Sequence, residues 1–205
     1  MSVKNIKFMQ SGRSMVEMLG VLAIMGVLSI GGIAGYSKAM MQYKINKTSD
    51  QIVQIVSGLR TMYSSQEEYD INCASTDDCP ILKKGHIAPD EMWNGSSWEN
   101  PFGGAVSITT SSKKAGGDNK AFIISFAGLP KEACMALATY DWGSGSSSGL
   151  IALTIGGDIS GSLKGCNGSD APIACPGGSN VSVPMPVTVA AGKCANGSTI
   201  SLKFF

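Results

Sequence analysis

Histidine is almost missing: His86 is the only one in 205 residues. A single imidazole builds neither a metal cluster nor a nucleophile triad. No Gly-x-Ser-x-Gly motif, phosphate-binding loop or dinucleotide fingerprint occurs. The acidic pairs Glu67-Glu68 and Asp77-Asp78 lie in polar stretches and read as solvated. Net charge is only +1 at pH 7, so no global field favours nucleic acid as a partner. No Cys-x-x-Cys pair is present, which argues against a zinc site or a thioredoxin-type redox centre. These absences speak against an enzyme, and no cofactor or metal is expected. Proline is missing too until after Tyr63, so nothing interrupts a helical pattern there.

What is present is unevenly spread. Hydrophobic residues make up 43% of the chain, and many of them sit in residues 15–36. The remainder is rich in Gly, Ser, Thr and Asn, a composition that suits a β-rich domain with many turns. Six cysteines, at 73, 79, 134, 166, 175 and 194, all follow the apolar segment. An even count on one side of that segment points to disulfides in an oxidising compartment. The other reading is a set of free or metal-binding thiols.

Residues 18–36 read MLGVLAIMGVLSIGGIAGY, without a charge. As a helix they rise about 28 Å, roughly the thickness of a bilayer core. Lys4, Lys7 and Arg13 precede the run, and Lys38 and Lys44 follow it, so charge sets its orientation only weakly. The cysteines place the later part outside the cytoplasm. Three readings compete: a secretory signal peptide cut near Gly32-Ile33-Ala34, a plain signal anchor, or the first helix of a filament subunit. The apolar run is long for the first of these. The helical pattern also continues beyond it: Ile45, Ile52, Val56, Leu59 and Tyr63 form one apolar stripe. Lys44, Lys47, Asp50, Gln54 and Arg60 fall largely off that stripe. One helix from about Ser14 to Tyr63 is predicted, apolar all round at first and one-sided later. The first half suits lipid or a filament core, and the second suits docking on a globular domain.

Glu17 stands at the head of the apolar run. A charge inside a membrane segment costs roughly 2.5–3.5 kcal/mol on insertion scales. Hydration at the interface, or an i,i+4 pair with Arg13, is one account of it. The other comes from its neighbours. Gly12-Arg13-Ser14-Met15-Val16-Glu17, followed at once by the apolar run, resembles the type IV prepilin signature. The resemblance implies cleavage after Gly12 by a prepilin peptidase/methyltransferase at the cytoplasmic face. It makes Arg13 the new N-terminus and Glu17 the fifth mature residue, whose carboxylate meets the α-amine of a neighbouring subunit and sets the stagger. A cation replaces the apolar first residue usual in that family, and the helix lacks the proline that many of its members carry. Gly26, Gly31, Gly32 and Gly35 either weaken the helix or permit close helix packing.

Beyond the helix, residues 64–100 are polar and turn-rich, with Trp93 and Trp98 read as packing residues. Strands are predicted over 105–110, 120–126, 150–155, 181–190 and 199–205. The strand over 181–190 is restricted to an edge or an irregular course by Pro184 and Pro186. Loops are expected over 113–119 and 143–149, and a short helix over 131–139 behind Pro130. The order of turn, strands, Gly-Leu-Pro and Cys-bearing helix is similar to the b subclass of type IV pilins, such as the thin-pilus pilins of conjugative plasmids and toxin-coregulated pilins. The implied fold class is α+β: a long N-terminal α-helix whose apolar half protrudes and whose amphipathic half packs on an antiparallel β-sheet. The implied domains are a leader over 1–12, a transmembrane or filament-core helix over 13–36, an amphipathic helix over 37–63, and a disulfide-bonded domain over 64–205.

By the same resemblance, the disulfides expected are Cys73–Cys79, Cys134–Cys194 and Cys166–Cys175. The partners implied are further copies of the chain, the peptidase, an assembly platform in the inner membrane, and that membrane itself before assembly. The location implied is the bacterial inner membrane, then an extracellular filament. The Asn46, Asn94, Asn167, Asn180 and Asn196 sequons match glycosylation spacing, a pattern common by chance. Three functions stay open: a major pilin, a minor pilin or type II secretion pseudopilin, and an anchored periplasmic binding domain that never polymerises.

Overall fold

The computed structural model describes residues 14–74, 79–111, 119–143, 149–157, 159, 173–174 and 182–205. Contacts divide the chain into two compact units, with the break after Gln42.

Helix α1 spans Met15–Met62, 48 residues and so about 72 Å long. Its glycines do not break it; Gly26, Gly31, Gly32 and Gly35 all lie inside continuous helix. Ser29 and Ser37 turn their hydroxyls back onto the carbonyls of Met25 and Ile33, at 2.7 and 3.0 Å. That satisfies a polar group without leaving the helix. In the first unit the large apolar side chains, from Met15 to Tyr36, are exposed. This helix is long and apolar enough to cross a membrane.

The second unit begins at Tyr43. It contains a six-stranded antiparallel sheet in the order β1-β2-β3-β6-β4-β5. The four long strands are β2 (Val106–Ser111), β3 (Ala121–Leu129), β6 (Ser198–Phe204) and β4 (Leu150–Ile155). Two-residue strands, β1 (Asn72–Cys73) and β5 (Ile173–Ala174), close the edges. Short edges of this kind limit pairing with other chains. Around the sheet lie α2 (Pro80–Lys84), a 3₁₀ turn (Asp90–Met92), α3 (Lys131–Thr139) and α4 (Val187–Lys193).

Period-two alternation decides what each face of the sheet buries. Ile200, Leu202 and Phe204 of β6 share one core with Phe122, Ile124 and Phe126 of β3. The same core holds Ile52, Ile55, Val56, Leu59 and Tyr63 of α1. On the opposite face Ile123 pairs in register with Lys203, which in turn pairs with Ala152. A smaller cluster of Ala121, Ile123, Ile151, Ala152 and Ile159 covers that face. Lys203 is only 1% exposed, and its ammonium donates to the Ile159 carbonyl at 3.1 Å. Both faces of the central strands are therefore buried.

A turn at residues 100–104 fixes the entry into β2. Buried Asn100 donates from Nδ2 to the Ala127 carbonyl at 2.8 Å, and its Oδ1 accepts from the amides of Phe102 and Gly104. Gly104 lies so close to the Ala127 carbonyl that a side chain has no room, and Gly128, with φ +69°, faces it. Glycine is required at both positions, on steric grounds at one and backbone grounds at the other.

Two expectations need correction. Residues 181–190 were expected as a strand; instead Val187–Lys193 form α4. Pro186 supplies the reason: it sits at the N-cap of that helix, where a fixed φ and a missing N–H cost nothing. The polar stretch 64–100 is also less irregular than its composition suggests, since Pro80 stands at the first helical position of α2, behind the N-cap Cys79. The expected loops over 113–119 and 143–149 lie largely outside the described residues.

Candidate functional site

Sequence points to the head of α1 as the site of processing and assembly. Gly12 and Arg13 lie outside the described residues. Glu17 occupies the first turn of α1, and its side chain is exposed. The Ser14 carbonyl accepts from the amides of Glu17 and Met18, at 2.9 and 3.2 Å. Ser14 and Glu17 also stand at capping-box spacing in the sequence. A carboxylate in the first turn also complements the positive end of the helix dipole. Glu17 therefore has a local reason to be where it is, and it remains available to a neighbour.

Cys73 and Cys79 form one disulfide, joining β1 to the residue before α2. Cys134 and Cys194 form another, tying α3 to the end of α4 across 60 residues. Cys166 and Cys175 lie outside the described residues. The bonded pairs are buried, so they act as staples of the second unit rather than exposed thiol chemistry. Asn196 adds to the second staple: its Oδ1 accepts from the Lys131 amide at the start of α3, whose N-cap is Pro130. A distant side chain supplies the cap that proline lacks.

The second half of α1 carries several charged contacts of this unit. Lys47 donates to Glu91 Oε2 at 2.8 Å. That hydrogen bond holds the ammonium above its ordinary pKa, with the Glu91 charge adding to it. Lys44 lies over the Phe102 ring at 5.6 Å and Lys83 over Trp93 at 5.2 Å. Arg60 lies over Phe204, and its Nε donates to the Phe205 carbonyl at 3.0 Å. Burial lowers the pKa of this guanidinium from its usual value. Gly149, with φ +68°, leaves the space that the Arg60 fork occupies. Among the described residues no cluster of three metal-binding side chains exists.

The family described as PilS N terminal matches residues 42–203. The chain belongs to the PilS N-terminal family. This pilin is also similar to toxin coregulated pilin from Vibrio cholerae, 29% identical over 154 residues. That match covers 73% of this chain and 65% of the relative. A second toxin coregulated pilin, from Vibrio cholerae serotype O1 (strain ATCC 39315 / El Tor Inaba N16961), is 27% identical over 134 residues. It is matched over 57% of its length and 63% of this chain. The pilin thus spans less than two thirds of each of these relatives. The crystal structure of type IV b pilin from Salmonella typhi aligns with 16% identity and a TM-score of 0.47, over 78% of this chain and 97% of that one. The crystal structure of TcpA, a type IV pilin from Vibrio cholerae El Tor biotype, aligns with 18% identity and a TM-score of 0.47, over 79% and 98%. The family and the curated relatives bear out the resemblance to type IV pilins of the b subclass.

Proposed function

We propose that this pilin is the major subunit of a type IV pilus. A leader ending at Gly12 is removed by prepilin peptidase, and the mature chain starting at Arg13 polymerises through α1 into an extracellular filament. The observation that carries the reading is the first half of α1. Its large apolar side chains, from Met15 to Tyr36, are exposed. Such a surface is tolerated only in lipid or against other protein. A membrane holds it before assembly, and the same segments of neighbouring copies hold it afterwards. Glu17 supports the assembled state, because a carboxylate at the head of an apolar helix needs a cation. The new α-amine and the Arg13 guanidinium of a neighbour are such cations. The further partners are the peptidase/methyltransferase and an inner-membrane assembly platform.

The test is the mature N-terminus of the protein recovered from sheared cell-surface material, read by intact-mass and N-terminal peptide mass spectrometry. A chain beginning at Arg13 in that fraction is the expected result. A chain beginning at Met1, or near Gly35, and absent from sheared material means an anchored or secreted domain and overturns the proposal. The intact mass also reports methylation at Arg13 and a third disulfide between Cys166 and Cys175.

A further inference from the structure

We infer that a cleft between the second half of α1 and the Pro89–Glu91 segment receives a lysine or arginine side chain from a second copy of this chain. The inference rests on the filament reading above and names one contact within it. The cleft has a volume of about 430 Å³ and lies wholly within the second unit, lined by Lys47, Asp50, Gln51, Gln54 and Glu91 among others.

Gln51 is the reason to expect an occupant. It is only 4% exposed, and its Oε1 is buried without a hydrogen-bond partner. A buried acceptor left so is costly, and native structures rarely keep one without use. Its neighbour Asp50 is an exposed carboxylate, and among the described residues no salt bridge compensates it. Lys47 does not, because its ammonium is held by Glu91 at 2.8 Å and lies near the Tyr43 ring. Among the described residues that line the cleft, the Lys47 and Glu91 charges cancel and Asp50 leaves one net negative charge, next in the chain to the Gln51 whose Oε1 lacks a partner. Both groups accept and neither donates. The complementary group is a cationic donor with several N–H bonds, which is a lysine or an arginine.

The chain itself supplies such donors. Lys84, Lys120, Lys131 and Lys193 are exposed, and none forms a salt bridge with a described carboxylate. An acidic cleft on one patch and free ammonium groups on others suit a heterologous, head-to-tail contact. Repeated along an axis, such a contact builds an open helical polymer. Opposite charges across it also set register and reject wrong alignments.

The experiment uses the full chain in its own host. It reads the yield of sheared filaments and the thermal midpoint of the subunit for D50K, Q51M, and D50K combined in turn with K84E, K120E, K131E or K193E. D50K is expected to lower filament yield about tenfold with the midpoint unchanged, and one of the four reversals to restore it to within about twofold. Q51M removes the orphan acceptor without needing a partner. It is expected to keep or raise the midpoint while lowering filament yield several-fold. Wild-type yields from D50K or Q51M overturn the inference, and a D50K defect that none of the four reversals relieves overturns the assignment of the donor to Lys84, Lys120, Lys131 or Lys193. If D50K fails to fold, the Q51M pair of readings decides. Wild-type chains that form no filaments overturn the pilus reading itself, whereas wild-type filaments with indifferent variants overturn only this contact.

Discussion

The two halves of α1 obey the same backbone rules and solve opposite problems. From Met18 to Tyr36 the helix carries no charge, and its large side chains are exposed. From Ile45 to Leu59 it is one-sided: Ile45, Ile52, Ile55, Val56 and Leu59 are buried, while Lys44, Lys47 and Asp50 are not. A helix buried on one face has its partner within the chain. A helix apolar all round has its partner elsewhere. Substitutions in the first half should therefore be silent in folding and loud in assembly, and substitutions in the second half the reverse.

Glu17→Ala is the largest test of that contrast. It is expected to reduce sheared filaments at least tenfold, on the order of an uncompensated buried charge left behind on the partner. The thermal midpoint of the subunit should not move, because Glu17 is an exposed side chain in the first turn. Normal filaments from this variant would remove the carboxylate from the assembly mechanism.

The disulfides probe the second unit alone. Removing Cys134–Cys194, which closes 60 residues, should cost about 4 kcal/mol in the chain-entropy account. Removing Cys73–Cys79, which closes 6, should cost about 2 kcal/mol. Paired serine variants, compared by denaturant titration, give the difference directly. Equal losses would mean that packing around the bonds, not loop length, sets their contribution.

Much of this division is written in the pattern of the chain. The stripe Ile45, Ile52, Val56, Leu59 and Tyr63 is all in the core. The strand predicted over 150–155 and the helix over 131–139 have those bounds in the structure. These segments are strongly periodic or bounded by proline and glycine, so local sequence decides them. What failed was either outweighed locally or decided from a distance. The run 181–190 is rich in valine and reads as strand, yet α4 begins at Val187 behind Pro186, with Ala190 buried in the core. Gln51 belongs to no apolar stripe, yet it is 4% exposed. Lys203, a charged residue in the strand predicted over 199–205, is 1% exposed and donates to the Ile159 carbonyl. Periodicity tells which face of an element is apolar; it does not tell whether a loop covers the other face.

A matched pair of truncations sets the two halves of α1 side by side. Ile55 is fully buried, and Ile55→Ala should destabilise the second unit by about 2–5 kcal/mol. Val27 is exposed at 73%, and Val27→Ala should leave the unfolding midpoint within about 0.5 kcal/mol of wild type. In filaments the order should reverse, with Val27→Ala lowering resistance to heat or detergent. If Val27→Ala destabilises the isolated subunit, the first half of α1 packs against its own chain and the contrast fails.

The smallest expected effect lies in the aromatic run beside α1, and alkali exposes it. Tyr63 meets Tyr69 at a tilt with ring centroids 5.1 Å apart, and Tyr69 meets Phe122 edge-on at 4.9 Å. The Tyr63 hydroxyl donates to the Asp70 carbonyl at 3.1 Å. Burial raises the pKa of both phenols above the ordinary tyrosine value, and the Arg60 charge opposes part of the rise at Tyr69. The folded state then keeps protons that the unfolded chain gives up. Stability from this source is complete below the unfolded tyrosine pKa, near 10, and is lost as pH climbs past it towards the folded values. Thermal midpoints should fall more steeply above about pH 10 in wild type than in Tyr69→Phe, which keeps the ring contacts and removes the titrating proton. Equal slopes would mean that Tyr69 is already hydrated, and that the second half of α1 is less tightly sealed against the sheet than its buried residues indicate.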